Sequence, residues 1–351
     1  MADITIIIPV YNAEEYLREC LDSAVNQTLR DIKIIIVDDG ATDSSPAICD
    51  EYAAADERIT VIHKPNGGVC DARNVGTAAV QTRWFTFLES DDWLPLDACE
   101  KLCAKAEQHG ADFVIGTYYK VDTSGTTVKH PLPYSERVYS TPEERAELSS
   151  CILGLTAERL RHPENVDSLL TDTAKLFDTA LVRDNGLVWI SRKEIYSDCL
   201  DFLLKYSILA NCVVYFDEPL YYYRRTNVGS QTAGYRKNTV GLWCVQFDAL
   251  KQIIESNKMP QLEAAYYSRV CFSIIPIGGN AYRTGNKKDG MQQIKEALSL
   301  PIYKEAFRHF KIGALPLKYR PLFFFAKHRW YGLFYKMTVI MRKKMNKQRG
   351  L

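Results

Sequence analysis

The first ninety residues alternate short apolar runs with single amphipathic segments, and this alternation limits the folds open to the chain. The apolar runs are residues 4–10, 32–37, 59–63 and 84–88, each about the length of one strand. The first two are almost continuously β-branched, as expected for strands buried on both faces. Because each is followed by one helical segment, we expect parallel pairing through right-handed crossovers. The sequence therefore predicts an α/β fold with a mostly parallel twisted sheet flanked by helices.

Local signals place the helices of this region. Asn12 with Glu15 three residues later forms a capping-box pattern at the start of the first helix. Ser45-Pro46 begins the second, since proline is tolerated in a first turn. A third helix is expected over 71–81, and a fourth begins near Leu96.

The rest of the chain gives weaker signals. Residues 121–165 are rich in polar and turn residues and predict an irregular segment with a short helix over 142–155. Residues 166–183 and 199–210 favour helices, and 213–216 a strand. From Thr239 onward, apolar spacing over 242–250, 264–274 and 291–298 predicts a helical C-terminal region.

Polar residues follow directly on the predicted strands. In open α/β sheets, ligands bind beyond the carboxyl ends of the strands. The residues in such positions are Asn12, Asp38, Asp39, Asn66, Glu89, Asp91 and Asp92. A single acid there is better explained as a turn or a helix cap, but clusters after two different strands predict a ligand site.

The segment Glu89-Ser90-Asp91-Asp92 places three carboxylates within four residues. Such crowding is costly unless a cation neutralises it. Oxygen ligands without His or Cys select a hard ion, so Glu89 and Asp91 are candidate ligands of Mn²⁺ or Mg²⁺. The alternative is a solvated acidic turn before the next helix.

The Asn66-Gly67-Gly68 loop precedes a helix start, where free backbone N–H groups favour anions. Arg73 adds a fixed positive charge suited to a phosphate or to holding an acidic residue. Neither GxGxxG nor GxxxxGK[ST] follows the first strand. This absence argues against a dinucleotide oxidoreductase and a P-loop NTPase. A nucleotidyltransferase on a similar sheet is disfavoured because no Gly-rich loop bearing Lys or Arg follows the first strand.

The net charge of +1 conceals a strong asymmetry. Residues 306–351 hold twelve Lys/Arg and no Asp/Glu, which leaves residues 1–305 with a net charge of −11. Within 318–349 the basic residues are mixed with apolar ones, namely Phe323, Phe324, Phe325, Trp330, Tyr331, Leu333, Phe334, Tyr335 and Ile340. The pattern favours a helix in the interface of an anionic membrane, and the alternative is a helix packed on the acidic body. No nucleic-acid-binding module accompanies the basic run, so no nucleic-acid partner is expected.

The expected location is the cytoplasm, at the inner face of the cell membrane. Residues 1–10 lack the basic and long apolar regions of a secretory signal, and no apolar run reaches the roughly 20 residues of a membrane span. Ten cysteines without a CxxC pair favour free thiols over a disulfide framework or a zinc site.

Four sequence blocks occur in a fixed order over residues 4–116. They are Ile6-Ile7-Ile8-Pro9-Val10-Tyr11-Asn12, Ile36-Val37-Asp38-Asp39-Gly40-Ala41-Thr42-Asp43, Asn66-Gly67-Gly68-Val69-Cys70-Asp71-Ala72-Arg73-Asn74-Val75-Gly76 and Phe87-Leu88-Glu89-Ser90-Asp91-Asp92-Trp93. Together they resemble the family 2 glycosyltransferases of GT-A fold. A weaker likeness covers 198–230, where Glu218-Pro219-Leu220-Tyr221-Tyr222-Tyr223-Arg224 is similar to the segment that closes the catalytic domain in bacterial surface-polysaccharide members.

The resemblance implies a nucleotide-diphosphate sugar donor, usually UDP-linked, a divalent metal, inversion at the anomeric carbon, and a glycan or lipid-linked acceptor. It implies that Tyr11 lies along the base, that Asp39 bonds its edge, and that Arg73 supports the nucleotide pocket. Asp91 would bind the metal with Glu89. The other donor-side positions are Pro9, Asn12, Asp38, Asn66, Gly67 and Ser90, and the acceptor-side or supporting positions are Asp92, Trp93 and Arg224.

An inverting transfer needs a carboxylate base, which the family supplies from a Glu-Asp pair at a helix start. Counting back from Asp201, that pair falls on Asp198-Cys199, and a shift of one residue aligns Ser197-Asp198 instead. We take Asp198 as the candidate base, with a helix cap as the alternative. Glu89 stands where the family has Asp, and Cys70-Asp71 where it has small residues.

These departures keep a second hypothesis open, a catalytically weak nucleotide-sugar-binding subunit of an assembly complex. Both hypotheses share one domain arrangement. A catalytic domain is expected over 1–230 and a helical region over 231–351, with the basic, aromatic tail at about 318–349. A homo- or hetero-oligomer is left open.

Overall fold

The computed structural model describes residues 4–226 and 234–348, with the side chains of 345–348 left out. The predicted domain boundary at 230 lies outside the described residues, as does Arg349. Contact clustering divides the chain into two compact units. The first comprises Met1–Leu148, Leu170–Arg192 and Asp198–Asn227, and the second comprises Ser149–Leu169, Lys193–Ser197 and Val228–Leu351.

The described part of the first unit contains one nine-stranded sheet. Its strands are β1 (Ile4–Val10), β2 (Ile32–Asp38), β3 (Ile59–His63), β4 (Trp84–Phe87), β5 (Phe113–Asp122), β6 (Gly125–Lys129), β7 (Glu136–Tyr139), β8 (Lys175–Asp178) and β9 (Val213–Arg224). Their order is β3-β2-β1-β4-β8-β5-β9-β7, with β6 paired to β5. The first four strands are parallel, as predicted. The whole sheet is mixed, because β8 lies antiparallel between β4 and β5.

The helices up to residue 209 are α1 (Leu17–Val25), α2 (Ser45–Ala55), α3 (Val69–Ala78), α4 (Ala98–His109), α5 (Pro142–Leu153), α6 (Thr179–Asp184) and α7 (Asp198–Leu209). The predicted starts of α2 and α7 are confirmed within a residue. Helix α3 packs closely on β1, since a Cβ on Gly76 would lie 2.5 Å from Ile7 Cγ2. This close contact fixes the preceding turn of α3, which carries Arg73.

The capping box predicted at Asn12 is wrong. Helix α1 begins only at Leu17, and its first turn has no side-chain cap. Asn12 has a φ of 48°, and its Oδ1 accepts a hydrogen bond of 2.7 Å from the Thr42 N–H. Asparagine tolerates this left-handed conformation, so the residue shapes the loop after β1 instead of starting a helix.

The prediction for residues 166–183 is wrong, whereas the short helix predicted over 142–155 is confirmed as α5. Residues 166–183 do not form a helix, because the segment contains β8 and the short α6. Residues 121–165 are less irregular than expected, since β6 pairs with β5 and β7 pairs with β9. In both segments the structure depends on pairing with another strand. The local sequence pattern does not predict such pairing.

The second unit is helical, as predicted. Its long helices are α8 (Thr239–Ser256), α9 (Glu263–Phe272), α10 (Ile274–Arg283), α11 (Lys287–Ser299), α12 (Pro301–His309), α13 (Arg320–Lys327) and α14 (Tyr331–Gln348). Helix α14 lies close to α10 and α11, because a Cβ on Gly278 would be 2.8 Å from Thr338 Oγ1 and one on Gly290 would be 2.8 Å from a Tyr335 ring carbon. None of the helices formed by the described residues has both the length and the apolar character needed to cross a membrane.

Candidate active site

The polar residues that follow β1, β2 and β4 lie at the same end of the sheet. These three parallel strands are neighbours, so their carboxyl ends lie side by side at that end. Asn12 follows β1, Asp38 ends β2, and the acidic segment Glu89–Asp92 follows β4. The structure therefore brings together the clusters that the sequence placed after separate strands.

Arg73 of α3 is the centre of a buried ionic cluster in this region. Its Nη2 lies 2.6 Å from Glu89 Oε1 and its Nη1 lies 2.9 Å from Asp198 Oδ2. Nη1 also lies 3.1 Å from Asp172 Oδ2. The arginine is 6% exposed. One guanidinium therefore contacts Glu89 shortly after β4, Asp198 at the start of α7 and Asp172 before β8.

The charges of this cluster depend on one another. Burial by itself lowers the pKa of Arg73. The negative charges of the nearby Asp172 and Glu89 raise it by more than burial lowers it, so the pKa lies well above its usual value and the guanidinium stays charged. Desolvation raises the pKa of Glu89, and Arg73 opposes that shift. The carboxylates would be costly to bury without the arginine.

Asp198 is the member of the predicted base pair that is hydrogen-bonded to Arg73. Its Oδ2 accepts from Arg73 and from the Cys70 thiol at 3.4 Å, and its Oδ1 is 3.7 Å from Arg192 Nε. The Cys199 thiol lies instead 3.6 Å from Asp172 Oδ1, and burial raises its pKa well above the usual value. Cys199 is therefore a protonated thiol at neutral pH. The role of Asp198 as the base stays a prediction.

Asp92 joins the acidic segment to β9. It is 2% exposed, its Oδ2 accepts 2.7 Å from the Tyr221 hydroxyl, and its Oδ1 accepts 2.7 Å from the Arg224 N–H. Burial raises the pKa of this carboxyl. The Arg224 guanidinium lies over the rings of Tyr16 and Trp93 at 4.7 and 4.5 Å. Through these contacts, Asp92 and Trp93 attach the acidic segment to Tyr221 and Arg224 of β9.

The contacts of its carboxylates decide whether the acidic segment can hold a metal ion. Among the described residues, no group of three or more His, Cys, Asp or Glu side chains is arranged to hold a metal ion. Glu89 is hydrogen-bonded to Arg73 and Asp92 to Tyr221, and Asp91 is half-buried and also has a partner. Mn²⁺ or Mg²⁺ often takes one or two protein carboxylates and completes its shell with phosphate oxygens and water. The residues therefore fit a metal that arrives with a diphosphate, with Asp91 as its protein ligand.

Asp39 fastens the glycine loop to the end of β2. Its Oδ1 accepts from the Gly67 N–H at 2.8 Å, and its Oδ2 accepts from the Gly68 N–H at 2.7 Å. Lys64 Nζ lies 2.5 Å from the same Oδ1 and 2.6 Å from Asp71 Oδ2. The negative charge that Asp71 adds beside the loop is thus balanced by Lys64.

The other predicted donor-side residues lie around this loop. Asp38 is buried, with Oδ1 accepting from the Ala41 N–H at 2.9 Å and Oδ2 lying 2.8 Å from His63 Nδ1. Asn66 Nδ2 donates to the Asp39 carbonyl at 3.0 Å. Tyr11 is 44% exposed, Pro9 is buried in β1, and Ser90 is half-buried. Their roles toward a donor stay predictions.

Sequence reasoning missed three charged residues of the region. Asp172 and Lys175 fall in the segment wrongly interpreted as a helix, and Lys64 had no motif to mark it. Lys175 is 2% exposed, its Nζ donates to Thr171 Oγ1 at 3.2 Å, and burial lowers its pKa to about 8. The local signal was an Asp and a Lys three residues apart, followed by the apolar Leu176-Phe177. That pattern is weak evidence for a short buried strand.

Comparison with known proteins bears on this geometry. Residues 5–162 match the sequence model of the family described as Glycosyl transferase family 2. Glycosyltransferase GlyG of Streptococcus pneumoniae is 30% identical over 229 residues, which cover 63% of this chain and 70% of GlyG. The chain belongs to glycosyltransferase family 2.

Two further proteins show how far the likeness extends. Glycosyltransferase GlyA of the same organism is 34% identical over 230 residues, or 63% of this chain, but the match spans only 30% of GlyA. The crystal structure of residues 1–349 of TarS from S. aureus with UDP-GlcNAc aligns with a TM-score of 0.65. That alignment covers 97% of this chain and 92% of the other at 18% identity. The likeness confirms the predicted GT-A fold with its helical C-terminal region.

Proposed function

We propose that this family 2 glycosyltransferase is an inverting, metal-dependent enzyme. It moves a sugar from a nucleotide-diphosphate donor, UDP-linked as in the TarS complex, to a surface polysaccharide or a lipid-linked oligosaccharide. The observation that carries the proposal is the pair of bonds from Arg73 to Asp198 and to Glu89. They join a candidate base to the acidic segment that would meet the donor's diphosphate.

Asp198 acts in this proposal as the general base. Inversion requires a carboxylate that takes the proton from the acceptor hydroxyl while that oxygen attacks the anomeric carbon opposite the leaving diphosphate. Arg73 and Cys70 both donate to Oδ2, so the carboxylate is held in one orientation. Oδ1 is then the oxygen directed to the acceptor proton. Because Asp198 is only 5% exposed, acceptor binding has to open a path to it.

Asp91 is the proposed protein ligand of Mn²⁺ or Mg²⁺. When bound, the metal supplies positive charge that stabilises the departing diphosphate. Glu89, which the resemblance implied as a second ligand, is bonded to Arg73 at 2.6 Å. We therefore propose that Glu89 positions Arg73 and leaves metal binding to Asp91.

The glycine loop and Asp39 form the nucleotide side of the site. Asp39 uses both oxygens to hold the Gly67 and Gly68 N–H groups, and Lys64 adds a positive charge beside them. A preorganised loop of this kind lowers the entropy lost when the nucleotide binds. The exposed Tyr11 ring provides a surface on which the base can stack.

A thermal-shift panel of nucleotide sugars with and without Mn²⁺ tests the proposal. A donor that binds the native state raises the melting temperature by mass action, and we expect a selective, metal-dependent rise with one UDP-linked sugar. The absence of a shift with any nucleotide sugar in the presence of Mn²⁺ would contradict it. Donor hydrolysis or transfer by the same preparation separates an enzyme from a catalytically weak binding subunit.

The proposed acceptor places the enzyme at the inner face of the cell membrane, in peripheral association. This setting follows from the acceptor class alone, since lipid-linked glycans are held in the bilayer. The stereochemistry is tested by the anomeric configuration of the glycan product, and retention of the donor's configuration would overturn the inverting mechanism.

A further inference from the structure

The outward face of α14 carries an unusual stripe of residues. Trp330, which directly precedes the helix, is 49% exposed, Leu333 is 46% exposed and Ile340 is 59% exposed. Lys336, Lys343 and Lys344 are exposed between and beyond them. Members of this set stand three or four residues apart, so they share one side of the helix. Apolar and basic side chains thus alternate along a solvent-facing stripe.

The opposite face of α14 is fixed within its unit. Phe334 is 1% exposed and Thr338 is 5% exposed, and a Cβ on Gly278 of α10 would lie 2.8 Å from the threonine hydroxyl oxygen. This finding corrects the sequence prediction for the tail, because Phe334 and the fully buried Phe323 do not face outward. The aromatic residues of the tail are divided between a packed face and an exposed one.

Helix α13 and the turn after it add to the exposed stripe. Phe324 is 41% exposed, and its ring centroid lies 5.5 Å from that of Trp330. Lys327 and Arg329 are exposed beside these rings. Over the described residues, neither of these cations nor Lys336 lies within ion-pair distance of a carboxylate, and no Asp or Glu follows Glu305. We call Phe324, Lys327, Arg329, Trp330, Leu333, Lys336 and Ile340 the basic–aromatic face.

Two clefts of the same unit have a similar lining. One, of about 600 Å³, is lined by Lys287, Lys288 and Lys295 together with Tyr331 and Met291. The other, of about 210 Å³, combines Lys327 and Arg329 with the buried Tyr303 and Phe307. Cationic side chains beside apolar and aromatic ones suit an anionic headgroup joined to a hydrocarbon chain.

We propose that the basic–aromatic face docks on an anionic lipid bilayer. Aromatic and aliphatic side chains that alternate with Lys and Arg enter the headgroup region, where the cations meet lipid phosphates. In this proposal the binding is peripheral, with the face lying along the bilayer surface. A nucleic acid would use the cations but would leave Leu333 and Ile340 in water, so the lipid surface accounts for more of the face.

Docking is measured by co-sedimentation of the full chain with vesicles of phosphatidylcholine alone or mixed with phosphatidylglycerol. We expect strong binding only to the anionic vesicles, weakened by salt, because exposed charges are screened. Lys327→Glu with Lys336→Glu should reduce the binding constant about tenfold or more, since each cation near the surface contributes separately. The matched control, Lys251→Glu with Lys258→Glu on exposed positions of the same unit, should leave it within about twofold.

Fluorescence quenching by lipids brominated near the headgroup tests the contact itself. Of the five tryptophans, Trp84, Trp189 and Trp243 are buried and Trp93 is stacked on Tyr222, so Trp330 is the one that meets the lipid. Quenching should disappear in Trp330→Phe while vesicle binding is kept. Equal binding to neutral vesicles, unchanged quenching in Trp330→Phe, or binding to oligonucleotides without binding to vesicles would each overturn the proposal. No donor is present in these assays, so their outcome is independent of the proposed transfer reaction.

Discussion

Arg73 Nη1 and Asp198 Oδ2 lie 2.9 Å apart although 125 residues separate them in the chain. The arginine is fixed by α3, which packs on β1, and the aspartate is the first residue of α7. Through Arg73, the carboxylate is also tied to Glu89 after β4. The candidate base and the acidic segment are therefore positioned by a single side chain.

Two substitutions of Arg73 distinguish the effect of its positive charge from the effect of its planar, two-pronged shape. Arg73→Ala leaves several buried carboxylates uncompensated and should lower the free energy of unfolding by about 3–5 kcal/mol. Arg73→Lys keeps the charge but loses the planar fork, so we expect kcat to fall about 10- to 100-fold with a smaller loss of stability. Urea unfolding and donor-transfer rates measure the two effects.

Arg83→Lys is the matched control, since the Arg83 side chain is 56% exposed and lies 3.9 Å from Asp178. Equal loss of activity in Arg73→Lys and Arg83→Lys would argue against a positioning role for Arg73.

Asp198→Asn tests the proposed base against a purely structural role. Asparagine caps helices as well as aspartate does, so a cap would survive the change, whereas a base would not. We expect transfer to fall about 10²–10⁴-fold with only a modest fall in the melting temperature, because Arg73 keeps its ion pairs with Glu89 and Asp172. Cys199→Ala, one residue further, should keep most of the activity. Near-normal transfer by Asp198→Asn would show that another group accepts the proton.

Asp91→Asn should remove metal binding that depends on the nucleotide. Because no protein cluster holds the ion by itself in the described residues, calorimetry should detect tight Mn²⁺ binding only when UDP is present. The variant should lose this binding, whereas Asp184→Asn at an exposed position should keep it. Tight Mn²⁺ binding to the protein without nucleotide would contradict the proposed ligand set.

Gly67→Ala should disturb the nucleotide side of the site. A Cβ at this position would lie 2.3 Å from Asp71 Oδ2, so the loop or the carboxylate has to move. Since Asp39 binds the Gly67 N–H, we expect KM for the donor to rise more than kcat falls. Asp71→Ala in the same chain should recover part of the loss. Gly313→Ala, with nothing within 4 Å of the added carbon, serves as the control.

The buried Lys175 predicts a pH-dependent stability. Its pKa falls from 10.5 to about 8 on folding, chiefly through burial, with Asp172 and Cys199 opposing that shift. Between those two values the unfolded chain holds the proton and the folded chain does not, so the free energy of unfolding rises with pH across this window. Relative to Lys175→Met, the wild type should gain about 3 kcal/mol between pH 8 and 10.5. Parallel pH profiles of the two proteins would show the lysine to be charged when folded.

The first four strands and the polar residues after them could be predicted from the sequence. The runs that form β1 and β2 are almost continuously β-branched, as expected for buried strands, and parallel strands bring their carboxyl ends to the same end of the sheet. The insertion of β8 between β4 and β5 could not be predicted, because strand pairing is a long-range choice. Asp172 and Lys175 were missed for that reason.

The sequence alone determined the family, the order of its motifs and the separation of charge between the body and the C-terminal segment. Only the tertiary structure decided that Asp198 bonds Arg73 while the Cys199 thiol contacts Asp172, and which tail aromatics are buried. Phe334 is packed and Leu333 beside it is exposed, although both are apolar in sequence. Side-chain type is encoded locally, whereas burial and ionic partners depend on which distant segments the fold brings into contact.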